Sequence, residues 1–309
     1  MEMGPVLRVA GAEVRTGTCS WTDPTLVKGT WYPRKSMSAA ERLAFYASRF
    51  PVVEVDSTYY WPPTPKLSQD WVERTPPAFV MDVKAYSLLT GHPTRRESLW
   101  EDLRDAGAEE HRGKRNVYAD HLPPDAVDEA WARFRHALAP LRRAGKLGGV
   151  LLQYPGWFTP NKDNRQALTA ARRHLPDDDV YVELRSPRWW ATAEDRDRTL
   201  GVLRDAGLVH VVVDAPPASG LPAVVAATAG AAVVRFHGRN DDTWDRRDIS
   251  AAERFNYLYR RDELAEWVPR LEELAARVDR IHALMNNCHG DKGVRNAADL
   301  AELLGGAGR

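Results

Sequence analysis

Apolar positions along this 309-residue chain fall into two alternating rhythms. Short runs rich in β-branched residues recur at 14–21, 51–57, 78–85, 147–154, 179–185, 208–215, 231–238 and 280–287. Their length and composition predict strands. Between several of them apolar residues return every three or four positions, the period of a helix packed on one side. Those segments are 38–50, 128–145, 193–207, 261–278 and 292–306. Ser38 stands where an N-cap belongs and Gly207 where a helix ends in a left-handed residue. Pro140 is expected to kink 128–145, and Pro269 is a flaw in 261–278. Eight strand–helix units ending on a helix predict an α/β chain folded as a single (β/α)₈ TIM-like barrel over 1–309. An open doubly wound sheet fits less well, because no Gly-rich nucleotide loop follows any strand.

One connection breaks the rhythm. Residues 86–146 separate the third strand from the fourth and are rich in charge. This predicts an insertion at about 86–127 over the barrel mouth, with a mobile stretch near 104–118.

Alternation along each strand sorts polar residues onto one face. Glu54 and Asp56 share a face, and Val53 and Val55 take the other. Asp82 pairs with Lys84, Glu183 with Arg185, and Arg235 with His237. Gln153, Asp214, Asn286 and Asn287 end three further strands. Polar groups thus gather at the C-terminal ends of the strands, where barrel proteins build their sites. The valines suit the helix-facing side, so the carboxylates Glu54, Asp56, Asp82, Glu183 and Asp214 are expected inside, with Lys84, Arg185, Arg235 and His237. Buried charges must pair, bind a ligand or stay wet. Asp82 and Asp214 have an equal claim to structural ion pairing. Aromatic residues follow the same strand ends: Trp21, Tyr59, Tyr60, Trp61, Trp157, Trp189 and Trp244 among them. Any one could cap the core, but together they suit a ring-shaped ligand.

Composition narrows the partners. With 43 basic and 43 acidic side chains the net charge is zero, so no global field draws the chain to nucleic acid or an anionic membrane. Nucleic-acid ends remain a disfavoured variant. The N-terminus is too polar for a signal peptide, and no apolar run suggests a membrane span. Cys19 and Cys288 are the only cysteines, which argues against a disulfide framework and for a cytoplasmic setting. They end the first and eighth strands, neighbours in a closed barrel. A monomer or weak homodimer is expected.

The segments GTCSW, FPVVEVDSTYYWPPT, GKLGGVLLQYP, YVELRSPRWW, VVVDAP, VVRFHGRN and MNNCHGDKGVRNA follow one another in order. Together they resemble the YecE-like family, domain of unknown function 72, from about residue 14 to 305. The resemblance implies one TIM-like barrel and brings no activity with it. It matches at Glu54, Tyr60, Lys84, Gln153, Glu183, Arg185, Asp214, Arg235, His237, Gly238, Asn286, Asn287 and Asn296. It departs at LLTGHP, where Gly91 separates Thr90 from His92, and in the length of the charged insertion.

These readings predict an enzyme that hydrolyses a small phosphorylated or glycosidic molecule. Glu54, Glu183 and His237 are the expected proton-transfer or nucleophilic groups. Lys84, Arg185, Arg235, Asn286, Asn287, Gln153, Asp214, Tyr60 and Trp21 are expected to hold the substrate. No cofactor or tightly bound metal is expected. One alternative is a nuclease or isomerase with a loosely held Mg²⁺ or Mn²⁺ on Glu54, Glu183, Asp214 and His237. The other is a binding protein for a small anion.

Overall fold

The computed structural model describes residues 3–107, 109–111, 113–244, 246 and 248–306. Eight parallel strands close into a barrel: β1 Ala12–Thr18, β2 Val52–Val55, β3 Val80–Lys84, β4 Leu147–Tyr154, β5 Val180–Leu184, β6 Val209–Asp214, β7 Ala231–Phe236 and β8 Arg280–Met285. The ring shuts where β1 pairs with β2, at Gly17↔Val52 and Thr18↔Val53. A short antiparallel strand, Leu7–Val9, flanks β1.

Alternation divides the apolar residues into two cores. Cys19, Val52, Leu151, Tyr181, Val209, Val211, Val213, Val233 and Leu284 fill the barrel interior. Val53, Val55, Met81, Val83, Val182, Leu184, Val212, Val234 and Phe236 pack outward under the helices. The inward assignments of Glu54, Lys84, Glu183 and Arg235 follow from this parity.

Local chemistry sets the helix ends. Ser38 caps Ala39–Ala47, and Glu41 returns the bond to the Ser38 N–H. Thr192 caps Ala193–Asp205, and Gly207 turns left-handed just beyond it. The prolines do more than kink. Pro140 sits in the first turn of a separate helix, Ala139–Arg143, after Pro124–Ala137. Pro269 likewise opens Val268–Ala275 after Arg261–Ala265. A proline lacks the N–H that a helix interior needs, but the first turn needs none. Helices Pro65–Glu73 and Lys162–His174 lie outside the segments picked by periodicity. The β6–β7 connection departs from the eightfold repeat. It has only a single turn, Pro217–Ser219, and no α-helix among its described residues. Pro216, Pro217, Gly220 and Pro222 punctuate that stretch against a helix.

The insertion holds a two-stranded ribbon, Thr94–Arg95 with Asn116–Val117, and several single turns. Arg133 on helix Pro124–Ala137 grips Asp102 with two N–H groups and lies over Trp100, 5.7 Å from its ring centroid. The insertion therefore runs along this helix, and His92 near its start reaches the mouth. The mobile stretch expected at 104–118 includes Ala108 and Arg112, outside the described residues.

The GG of GKLGGVLLQYP meets a polar cluster low in the barrel. His282 Nδ1 lies 2.8 Å from Asp82 Oδ2, and the Tyr181 hydroxyl donates to Gly148 O at 2.6 Å. A Cβ on Gly149 would lie 2.3 Å from the Tyr181 ring, and one on Gly148 would lie 2.2 Å from Asp82 Oδ1. Gly149→Ala is expected to cost about 1–3 kcal/mol of overpacking in urea unfolding. Gly201→Ala, in the middle of helix Ala193–Asp205 with no neighbour within 4 Å, should instead stabilise by about 0.5–1 kcal/mol.

Candidate functional site

At the C-terminal mouth one guanidinium organises the interior. Arg235 on β7 is 1% exposed. Its Nη2 donates to Glu54 Oε1 on β2 at 2.7 Å. Its Nη1 donates to Glu183 Oε2 on β5 and to Gln153 Oε1 on β4, the latter at 3.3 Å. Arg185 donates through Nε to the other oxygen of Glu183 at 2.7 Å. Cys19 Sγ closes the ring, 3.5 Å from Glu54 Oε2 and 3.6 Å from Arg235 Nη2. His237 Nε2 lies 3.3 Å from Glu183 Oε1 in a poorly aligned contact, and its Nδ1 pairs with the Asn286 amide at 2.7 Å.

The two glutamates respond oppositely to this setting. Burial pushes both upward. For Glu183, the charges of Arg235 and Arg185 outweigh burial and hold the carboxyl well below the usual range. For Glu54 burial wins, aided by the nearby Glu183, and its pKa rises. Burial keeps His237 neutral, with a pKa near 4.

Above this layer lies a cavity of about 290 Å³. Lys84, Arg185, Arg235 and Gln153 face it from β3, β7 and the ends of β4 and β5; Asp23, Asp56 and Asn286 face it from the β1, β2 and β8 side. Tyr59, Tyr60, His92 and Phe255 add rings. Arg185 spends only its Nε on Glu183, so its terminal nitrogens remain for a ligand. The Lys84 amine has no hydrogen-bond partner among the described residues and lies 4.5 Å from the Tyr59 ring centroid. Burial and the neighbouring Arg235 lower its pKa to about 8. Burial raises Asp56 to about 6, against the pull of Lys84.

The expected site residues therefore separate. Lys84, Arg185, Arg235, Gln153, Asn286 and Tyr60 line the cavity. Glu54, Glu183 and His237 do not; each is at most 1% exposed and lies beneath it, holding Arg235, Arg185 and Asn286. Asp214 is corrected from the interior to the outer face. It shares parity with Val212 and binds Arg239, the Tyr259 hydroxyl at 2.7 Å and the Trp267 indole N–H at 2.7 Å. Asn287 turns away to Tyr257 O and Asn296 Oδ1. Trp21 packs edge-on against Trp71, away from the cavity. Of the four donors expected of a metal centre, Glu54 and Glu183 are taken by Arg235, His237 pairs with Asn286 and Asp214 faces outward. Among the described residues no three His, Cys, Asp or Glu side chains assemble as a ligand set.

Several cavity residues escaped the sequence reading. His92 was not placed at the rim, yet Gly91 turns left-handed and folds Thr90 Oγ1 to within 2.9 Å of His92 Nδ1. The LLTGHP departure was its only signal. Asp23 was hidden as a helix-capping Asp-Pro step, and Arg254 and Phe255 in a long β7–β8 connection without a pattern. Cys288 lines the cavity as well.

A closed barrel with a charged, ring-lined mouth defines a TIM-barrel protein with a ligand-sized site at its C-terminal end. The model of the family described as "Protein of unknown function DUF72" matches residues 15–309, and the chain belongs to that family. The UPF0759 protein YunF of Bacillus subtilis (strain 168) is 30% identical over 294 residues, covering 93% of each chain. A DUF72 family protein from Thermotoga maritima MSB8 is 27% identical with a TM-score of 0.74, covering 94% of this chain and 99% of its own. One from Enterococcus faecalis V583 is 24% identical with a TM-score of 0.75, covering 94% and 95%. No described helix is long and apolar enough to cross a membrane.

The opposite shifts of the glutamates make their amides unequal. Glu183→Gln strips charge from two guanidinium groups and should cost about 3–5 kcal/mol. Burial opposes the charge on Glu54, so Glu54→Gln removes a less favoured charge and should cost less, about 1–2 kcal/mol. Equal unfolding midpoints for the two variants would contradict the assigned asymmetry.

Proposed function

We propose that this barrel is an enzyme that hydrolyses a small, anionic, ring-containing substrate, either phosphorylated or glycosidic. The observation that carries the reading is the cavity floor. Lys84 and the free end of Arg185 stand together there, and one carboxylate, Asp56, faces them without an ion-pair partner among the described residues. Two cations at one wall suit a phosphate or carboxylate held by charge-assisted bonds. Tyr59, Tyr60 and Phe255 offer faces for a ring.

The residues assign the steps. Asp56, ionised above about pH 6, takes a proton from a water in the cavity. The water oxygen bonds to the phosphorus or anomeric carbon, and the bond to the leaving oxygen breaks. Lys84, still protonated below about pH 8, gives that oxygen its proton. Arg185 stays charged and holds the anion, and Arg235, its terminal nitrogens taken by Glu54, Glu183, Gln153 and Cys19, adds its charge from beneath. Glu54 and Glu183 act through the arginines: they fix the guanidinium planes before substrate arrives, so little reorganisation accompanies the reaction.

The pH profile follows with its signs. kcat/KM should rise as Asp56 ionises through about 6 and fall as Lys84 deprotonates through about 8. A panel of phosphomonoesters and aryl glycosides assayed across pH tests this. Asp56→Asn should lower kcat at least about 100-fold and remove the acid limb. Arg185→Gln should mainly raise KM. Activity unaffected by Asp56→Asn would sink the mechanism. Ligand binding with no turnover of any member of the panel would favour the small-anion binding protein.

A further inference from the structure

The mouth leaves unpaired charge of both signs. Lys84 has no ion-pair partner among the described residues, and neither do Asp23 and Asp56. The positions are polarised. Asp23 follows β1 and Asp56 follows β2, whereas Lys84 ends β3 and Arg185 follows β5. Both carboxylates thus come from the β1 and β2 side, while the cations Lys84, Arg185 and Arg235 come from β3, β5 and β7, with Arg254 from the β7–β8 connection. A ligand carrying only negative charge would satisfy the cations and leave the two carboxylates facing it with like charge.

Asp23 is built to act on the β1 and β2 side. Its Oδ1 accepts the Thr25 N–H at 2.8 Å and the Thr25 hydroxyl, as the cap of Pro24–Lys28. The same Thr25 oxygen accepts the Gly290 N–H at 2.7 Å, which ties the cap to the loop after β8. This fixes the carboxylate in place. Its Oδ2 has no hydrogen-bond partner among the described residues, and Asp23 lines the cavity. Gln153 adds a second sign of a ligand. It is 7% exposed and lines the cavity, and its Oε1 accepts from Arg235 while its amide NH₂ is without a partner among the described residues.

We propose that Asp23 is a specificity residue that binds a protonated amine, so that the substrate is a small bipolar ring compound with an anionic group at one end and an ammonium group at the other. The inference rests on the anion site proposed above. The anionic group lies on Lys84 and Arg185, and the ammonium group meets Asp23 Oδ2 across the ring. An amino-sugar phosphate has this chemistry.

Calorimetric titration with inorganic phosphate, glucose 6-phosphate and glucosamine 6-phosphate tests it. These probes share the phosphate, and the two sugars differ in one amine. The wild-type protein should bind glucosamine 6-phosphate at least about tenfold more tightly than glucose 6-phosphate, the scale of one charge-assisted bond. Asp23→Asn keeps the helix cap and removes the charge. It should bring that ratio to within about twofold and leave phosphate affinity within about twofold. Asp23→Ser, which also caps, should do the same. A preference that survives both variants, or no preference in the wild type while phosphate still binds through Arg185, overturns the inference and leaves the anion site standing. Failure of all three probes to bind overturns the anion site and the inference together.

Discussion

A single guanidinium, buried at the centre of a barrel, holds the site together. Arg235 bonds to Glu54 and Glu183 from strands on opposite sides of the ring and touches Gln153 and Cys19 as well. A buried charge of this kind tolerates few errors. The attraction between the ions repays their desolvation only when nearly every donor and acceptor is met. Here one guanidinium meets two carboxylates, and a second, Arg185, brings the cluster to charge balance. The arrangement is poor value as stability, since apolar residues of similar volume often do as well. Its use lies in preorganisation, because it presents cations of fixed orientation to the cavity above.

That layering changes what the carboxylates are for. A pair of inward glutamates at a barrel mouth invites the reading of an acid and a base. In the structure both lie below the cavity surface, and the cavity carboxylates without an ion-pair partner among the described residues are Asp23 and Asp56. Glutamates that hold arginines lie beneath, and aspartates that face the cavity lie above, with the unpaired charge in the upper layer.

The frame was legible because parallel strands in a barrel must alternate, and alternation survives in sequence. Val53 and Val55 identified the face of Glu54, and Val234 and Phe236 that of Arg235. Parity failed at Asp214 because in β6 the polar residues, His210 and Asp214, share the outward face with Val212. In VHVVVD the inward face is the wholly apolar one, Val209, Val211 and Val213, the reverse of the polar-inward pattern of the other strands. Asn287 and Trp21 were misplaced for a related reason: past the last residue of a strand the alternation no longer binds, and local turns decide direction. Distance along the chain hid the partners of Asp214, since Tyr259 and Trp267 come from the next connection but one. The missing β6–β7 helix, by contrast, was written in its prolines.

The central claim is that the mouth holds an anion on Lys84 and Arg185. Crystals soaked in tungstate, a heavy analogue of phosphate, test it most directly. The account predicts an anomalous peak within hydrogen-bond reach of the Lys84 amine and the terminal nitrogens of Arg185, absent from the Arg185→Gln variant. Tungstate bound elsewhere, with this cavity empty at saturating concentration, would contradict it.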